Sequence, residues 1–196
     1  YKEMMVELFT SFREPASGAI GFVTPRFPRL QTMLDGFPKK GALICVGGRS
    51  QAGKSTWCRN LALDIARHNE DANILYITLD DSSSAVVTAW TATLSGLEVS
   101  QVVRRHSLSD ADADKWDNAT RYLQTKDNLH SIGSEDGRRP EDIARTLEKF
   151  CKTFPDKTLI TFVDKYHDVD FGANLRVVII IKLKYVKDLS FSMGIR

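Results

Sequence analysis

Residues 48–55 read Gly-Arg-Ser-Gln-Ala-Gly-Lys-Ser, two glycines separated by four residues and followed by a lysine and a hydroxyl. That spacing suits a chain of phosphates. Gly48 and Gly53 let the backbone curl, so that the N–H groups of Arg49, Ser50, Gln51 and Ala52 converge on phosphate oxygens. Lys54 brings a point charge to the β- and γ-phosphates. The Ser55 hydroxyl is placed to ligate Mg²⁺, and Thr56 completes the cradle at the start of the next helix. With Gly near 7% of residues, the pattern arises by chance in roughly one chain in a hundred of this length.

A second group supports the first. Leu159 to Asp164 (Leu-Ile-Thr-Phe-Val-Asp) is an apolar run ending in an acid. Such an acid at a strand end holds Mg²⁺ through water, beside Ser55. Hydrolysis also needs a group that orients or deprotonates water. Asp80 and Asp81 follow the apolar run after the loop, and a carboxylate there reaches past the γ-phosphate. The alternative for Asp80 is capping the helix that Ser82 begins. His167 either hydrogen-bonds the γ-phosphate or its water, or is simply solvated. The candidate catalytic residues are therefore Lys54, Asp80, Asp164 and His167, with Ser55 and Asp164 as metal ligands.

Positioning these groups requires alternating elements. Ala42 to Val46 is a short apolar run suited to a central parallel strand. Trp57, Leu61, Ile65 and His68 share one side of a helix over 56–68. Its N-terminal dipole points at the phosphates. A strand over 73–79 and a helix from Ser82 or Ser83 to Ser95, stopped by Gly96, come next. Ser109 starts a helix with Asp112 at its third position, running to about Thr125. A brief strand spans 128–132, and a polar loop leads to Arg139. Pro140 opens a helix to about Phe154, and a strand over 158–163 ends at Asp164. Residues 175–192 mix a β-branched run with helical spacing at Leu183, Val186 and Leu189, and we read them as helix. The fold class is α/β, a mostly parallel sheet with helices on both faces and ligand at the carboxyl ends of the strands.

The lead-in is less regular. Met5, Leu8, Phe9 and Phe12 form one stripe of a short helix, ended by Pro15 and Gly18. That face packs on its own domain or docks on a neighbouring subunit. Residues 19–41 are irregular, with one or two helical turns over 30–34. This divides the chain into an arm (1–18) and a main domain (19–196).

Bulk properties narrow the partners. A net charge of +2 over 196 residues advertises no broad basic surface for nucleic acid, although a ring can concentrate a few basic residues at its centre. Arg104-Arg105-His106 and Arg138-Arg139 are the notable basic clusters; solvated faces are their ordinary role, and phosphate or subunit contact is the alternative. Cys45, Cys58 and Cys151 are odd in number and lack a Cys-x-x-Cys spacing. They read as reduced and structural, as in the cytosol, with Cys45 in a buried strand. Trp57, Trp90 and Trp116 read as core. No apolar run reaches membrane-spanning length.

The stretch from Leu34 to Thr56 (Leu-Asp-Gly-Phe-Pro-Lys-Lys-Gly-Ala-Leu-Ile-Cys-Val-Gly-Gly-Arg-Ser-Gln-Ala-Gly-Lys-Ser-Thr) resembles the ATPase domain of DnaB-type replicative helicases. These are RecA-like P-loop NTPases. Arg49 matches an early Arg in that family's loop. Thr78-Leu79-Asp80 stands where the family has Ser-Leu-Glu. Leu94-Ser95-Gly96 and the acidic stretch from Leu108 to Trp116 follow the family's order. The likeness covers about residues 20–196.

It implies ATP and Mg²⁺ as cofactors, a DNA helicase activity and a homo-hexameric ring. It also implies single-stranded DNA as partner, a primase or helicase loader as further partner, and the cytoplasm of a bacterial or phage-infected cell. By position, Asp80 takes the catalytic Glu site and His167 that of a γ-phosphate-sensing Gln. The arm resembles a linker helix that docks on the next protomer. The family's amino-terminal domain, its basic finger acting in trans and its DNA-binding loops are not within these residues, so a trimmed chain is expected. A RecA-like ATP-binding regulator, loader or recombination mediator without unwinding is the alternative. Asp80 in place of Glu favours it slightly, because the side chain is one methylene shorter.

Overall fold

The computed structural model describes residues 21–37, 43–47, 49, 51–133, 140–164 and 175–181. The arm at 1–18, Gly48, Ser50, the pair Arg138-Arg139, His167 and residues 182–192 lie outside them. The elements run α1 (Pro28–Leu34), β1 (Leu43–Gly47), α2 (Lys54–His68), β2 (Ala72–Thr78), α3 (Ser83–Ser95) and α4 (Val99–Val103). After a 3₁₀ turn (Arg105–Ser107) come α5 (Asp110–Gln124), β3 (Leu129–Ile132), α6 (Pro140–Thr153), β4 (Thr158–Asp164) and β5 (Leu175–Ile181).

The sheet order is β1-β5-β4-β2-β3. β2 pairs in parallel with both β3 and β4, while β5 runs antiparallel to β4 and to β1. Four strands therefore share one direction and β5 opposes them. Alternation along β2 and β4 sorts their side chains between two layers. Ile74, Tyr76, Ile160 and Phe162 face a core made with α2 and α3 through Cys58, Leu61, Ile65, Val86 and Trp90. Leu75, Ile77, Leu159 and Val163 face the opposite layer, where α6 supplies Ile143 and Leu147. All seven residues of β2 are buried, as expected of a strand covered on both faces.

Local signals set the helix ends. Ser82 caps α3 by accepting from the Ala85 N–H, and Ser109 caps α5 by accepting from Asp112 N–H. α3 closes at Gly96 and α6 begins at Pro140.

Three expectations are corrected. The helix over 175–192 is replaced, over Leu175–Ile181, by strand β5. The run Val177 to Ile181 is wholly β-branched, which favours the pleated chain, and its backbone is paired on both sides by β1 and β4. The loop strand is not central. Among the described residues β1 pairs only with β5, because β5 lies between it and β4. Cys45 is consequently exposed rather than buried, while Ile44 and Val46 on the alternate positions are half-buried.

The lead-in is more ordered than its composition suggests. Phe22 and Phe37, both buried, exchange backbone hydrogen bonds of 2.7 and 2.9 Å. Asn69 at the end of α2 clamps Val23, accepting from its N–H at 2.8 Å and donating to its carbonyl at 2.9 Å. Asp64 accepts from Arg26 N–H at 3.1 Å. Segment 21–37 is thus fastened to the helix that leaves the phosphate loop. Its closure brings Gly21 and Gly36 into backbone contact. A Cβ on Gly36 would lie 2.6 Å from Gly21 Cα, and φ there is +88°. Gly36→Ala is therefore expected to lower stability by about 1–3 kcal/mol, from overpacking and a left-handed backbone. Urea unfolding measures this, and an unchanged midpoint would contradict the close approach.

Candidate functional site

Three chain segments converge at the carboxyl ends of β2 and β4. The first is the loop and the start of α2. Gly53 is the N-cap, at φ +81°. A Cβ added there would meet nothing within 4 Å, so it is the backbone angle, rather than space, that calls for glycine. No side chain caps α2, the condition under which a helix N-terminus serves as an anion site. The Lys54 ammonium donates to the Arg49 carbonyl within the loop.

The second segment is the end of β4. Asp164 is completely buried, 109 residues along the chain from Ser55, yet the Ser55 hydroxyl donates to its Oδ1 at 2.9 Å. The loop hydroxyl and the strand-end acid paired in the sequence are therefore in direct contact. The third segment is the end of β2. Leu79 N–H donates to the Asp164 carbonyl at 3.3 Å, which holds the turn carrying Asp80 and Asp81 beside the acid. Asp80 is exposed there.

Two participants were not legible as site residues. Tyr76, inside β2, donates its hydroxyl to Asp164 Oδ2 at 2.9 Å. Arg59, five residues beyond Lys54 on α2, pairs with Asp81 at 2.9 Å and stands 4.0 Å from Asp164 Oδ2. In sequence Tyr76 is one apolar strand residue among several, and Arg59 one charge on an amphipathic helix. The only available signal was that a buried acid needs donors, and that does not name them. Asp81 turns inward to Arg59, whereas a helix-capping role is taken by Ser82.

The environment is dry on one side. Burial, followed by the Asp164 charge, pushes the Cys58 thiol up to about 12. The same two causes carry the Tyr76 phenol well above its ordinary range, so it stays a donor. Arg105, in the 3₁₀ turn, lies over the ring of Trp116 on α5 at 5.3 Å. Trp57 packs edge-on to Phe27 at 5.5 Å.

The donor set fits Mg²⁺ carried by a nucleotide. Among the described residues no group of three or more His, Cys, Asp or Glu could hold an ion. Mg²⁺ bound with a nucleotide needs only one or two protein oxygens, with phosphate and water completing the shell. Ser55 and Asp164 supply that type of oxygen.

A family model described as the DnaB-like helicase C terminal domain matches residues 22–169. No curated protein matches the sequence. Among solved structures the chain is similar to one described as an ATPase domain, with a TM-score of 0.65 and 18% identity over 83% of this chain and 56% of that chain. It is also similar to "The Structure Of A DnaB-Like Replicative Helicase And Its Interactions With Primase", at 0.67 and 16% over 83% of this chain and 38% of that chain. The chain thus spans about half or less of these two structures, and at these identities the likeness carries the fold. Among the described residues no helix is long and apolar enough to cross a membrane.

A thiol with its pKa near 12 is thiolate in about one molecule in ten thousand at pH 8. Cys58 is therefore expected to resist maleimide in the folded protein and react once urea unfolds it, as read by peptide mass mapping. Equal labelling in both states would contradict its buried place beside Asp164.

Proposed function

The chain belongs to the family of DnaB-like helicase C-terminal domains, and from that premise we propose that it is the ATP-hydrolysing motor of a replicative DNA helicase. The observation that carries the reading is the 2.9 Å contact between the Ser55 hydroxyl and Asp164. A hydroxyl at a helix start, hydrogen-bonded to a strand-end acid beneath a phosphate loop, is the arrangement that Mg²⁺-triphosphate chemistry uses.

Each residue has a distinct task. The loop amides from Gly48 to Thr56 cradle the phosphates, and Lys54 balances charge that develops on the γ-phosphoryl oxygens. Ser55 and Asp164 would hold Mg²⁺, which supplies charge neutralisation at the β- and γ-oxygens when bound. Asp80, exposed at the end of β2, orients the attacking water. His167 contacts the γ-phosphate or that water. The working assembly is a ring of copies, a hexamer, acting on single-stranded DNA in the cytoplasm, with primase or a loader as partner. The arm at 1–18 serves as the linker to the next protomer.

A second reading follows from Asp80. Because an Asp reaches one methylene less than a Glu, water is held less closely, and a regulator or loader that binds ATP without unwinding uses the same fold.

The test uses the full-length protein. Wild type is expected to hydrolyse ATP with stimulation by single-stranded DNA and to separate strands. Lys54→Ala is expected to lose about a hundred-fold or more in turnover, the scale of removing one charge-stabilising donor. Normal unwinding by Lys54→Ala contradicts the motor reading. Tight ATP binding without turnover in wild type selects the regulator.

A further inference from the structure

Asp164 is held by more than the phosphate loop provides. Both its oxygens are engaged, Oδ1 by the Ser55 hydroxyl and Oδ2 by the Tyr76 hydroxyl, each at 2.9 Å. The Tyr76 ring cannot swing away. It stacks on Phe162 at 5.8 Å between centroids and meets Trp90 edge-on at 6.1 Å. Tyr76 also reaches the Ser55 carbonyl at 3.5 Å, so one phenol touches both partners of the central contact.

Arg59 works from the other side. Its guanidinium lies between two carboxylates, 2.9 Å from Asp81 and 4.0 Å from Asp164. Its helix position is anchored by the Trp90 indole N–H, which donates to the Arg59 carbonyl at 3.0 Å. Asp81 is fixed in turn, because its N–H donates to the Thr78 hydroxyl at 3.1 Å. Arg59 is 19% exposed and Asp164 not at all, so this charge contact is screened less than a surface pair. Two acids against one base leave the cluster with net negative charge, which favours a divalent cation. The Ser55 hydrogen is already directed at Asp164, and its lone pairs are left for a metal.

We propose that Tyr76 and Arg59 are positioning residues of the metal–nucleotide site: the phenol fixes the plane of the Asp164 carboxylate, and the guanidinium ties that carboxylate to Asp81, in the turn that carries Asp80. The inference rests on the proposed nucleotide reading. Neither residue touches nucleotide; both act through the acids. Outer partners of metal-holding groups commonly account for about 10- to 100-fold in metal affinity or activity.

The experiment compares wild type, Tyr76→Phe, Arg59→Met and Arg59→Lys in the full-length protein. Binding of a fluorescent ATP analogue is measured with and without Mg²⁺, together with the Mg²⁺ concentration giving half-maximal hydrolysis. Tyr76→Phe removes one oxygen and keeps the ring packing, so it reads the answer even where Arg59→Met fails to fold. It is expected to raise the Mg²⁺ requirement about ten-fold while leaving metal-free nucleotide affinity unchanged. Arg59→Met is expected to raise the requirement and lower the maximal rate, with partial recovery in Arg59→Lys. An unchanged Mg²⁺ requirement in Tyr76→Phe, or equal weakening with and without metal, overturns the inference alone. Wild type whose binding ignores Mg²⁺ overturns the nucleotide reading and this inference with it.

Discussion

The hydrogen bond from Ser55 to Asp164 joins the first turn of a helix to the last residue of a strand 109 positions away. Much of the surrounding structure holds those two ends together. A fully buried carboxylate is unfavourable unless hydrogen-bonded, so its place at the end of β4 requires donors nearby. Ser55 and Tyr76 provide them, from α2 and β2. The helix can stand there because its other face is greasy. Cys58, Leu61, Ala62 and Ile65 are buried in the core shared with Ile74, Tyr76, Ile160 and Phe162. Apolar burial thus sets the distance between helix and sheet, and the polar contact sets the register at the mouth.

The same logic extends outward. β2 lies between β3 and β4 in parallel, so strand ends that must share a ligand finish on one edge of the sheet. Thr78 pairs with Asp164 in the register of β2 and β4, which puts the Asp80–Asp81 turn at the acid's level. Behind α2, segment 21–37 is latched by Asn69 and Asp64. Asn128 ties the far end of the helix to β2 and β3, donating to the carbonyls of Ala66, Asn69 and Ala72 at 3.1–3.2 Å. Movement of α2 along its axis would strain both fastenings. The residues with phosphate-loop spacing therefore lead into a helix fixed at its opposite end.

Signals local in sequence were legible. Caps at Ser82 and Ser109, the stop at Gly96 and the start at Pro140 fell where side-chain chemistry placed them, because a cap depends on residues within one turn. β-Branched and aromatic content marked β2, and a short apolar run marked β4, for the same reason. The contact between Ser55 and Asp164 was legible because each end carries its own local mark, a hydroxyl after the loop lysine and an acid closing an apolar run. Relations that depend on which strands become neighbours were not. β5 inserted beside β1, leaving Cys45 exposed, and no local pattern encodes an insertion. The helix reading of 175–192 leaned on the spacing of Leu183, Val186 and Leu189, whereas 175–181 carry the β-branched run, and pairing on two sides makes them a strand. Arg59 and Tyr76 entered the site only through the fold, since each looks ordinary within its own element. The short helix Val99–Val103 was missed because five residues give too little periodicity.

The most direct measurement is a crystal structure of the full-length protein with Mn²⁺ and a non-hydrolysable ATP analogue, the metal located by anomalous scattering. The account predicts the metal at about 2.1 Å from the Ser55 hydroxyl, one water away from Asp164, with Lys54 on the terminal phosphates. A nucleotide bound elsewhere, or a metal that touches neither Ser55 nor the shell around Asp164, would contradict it.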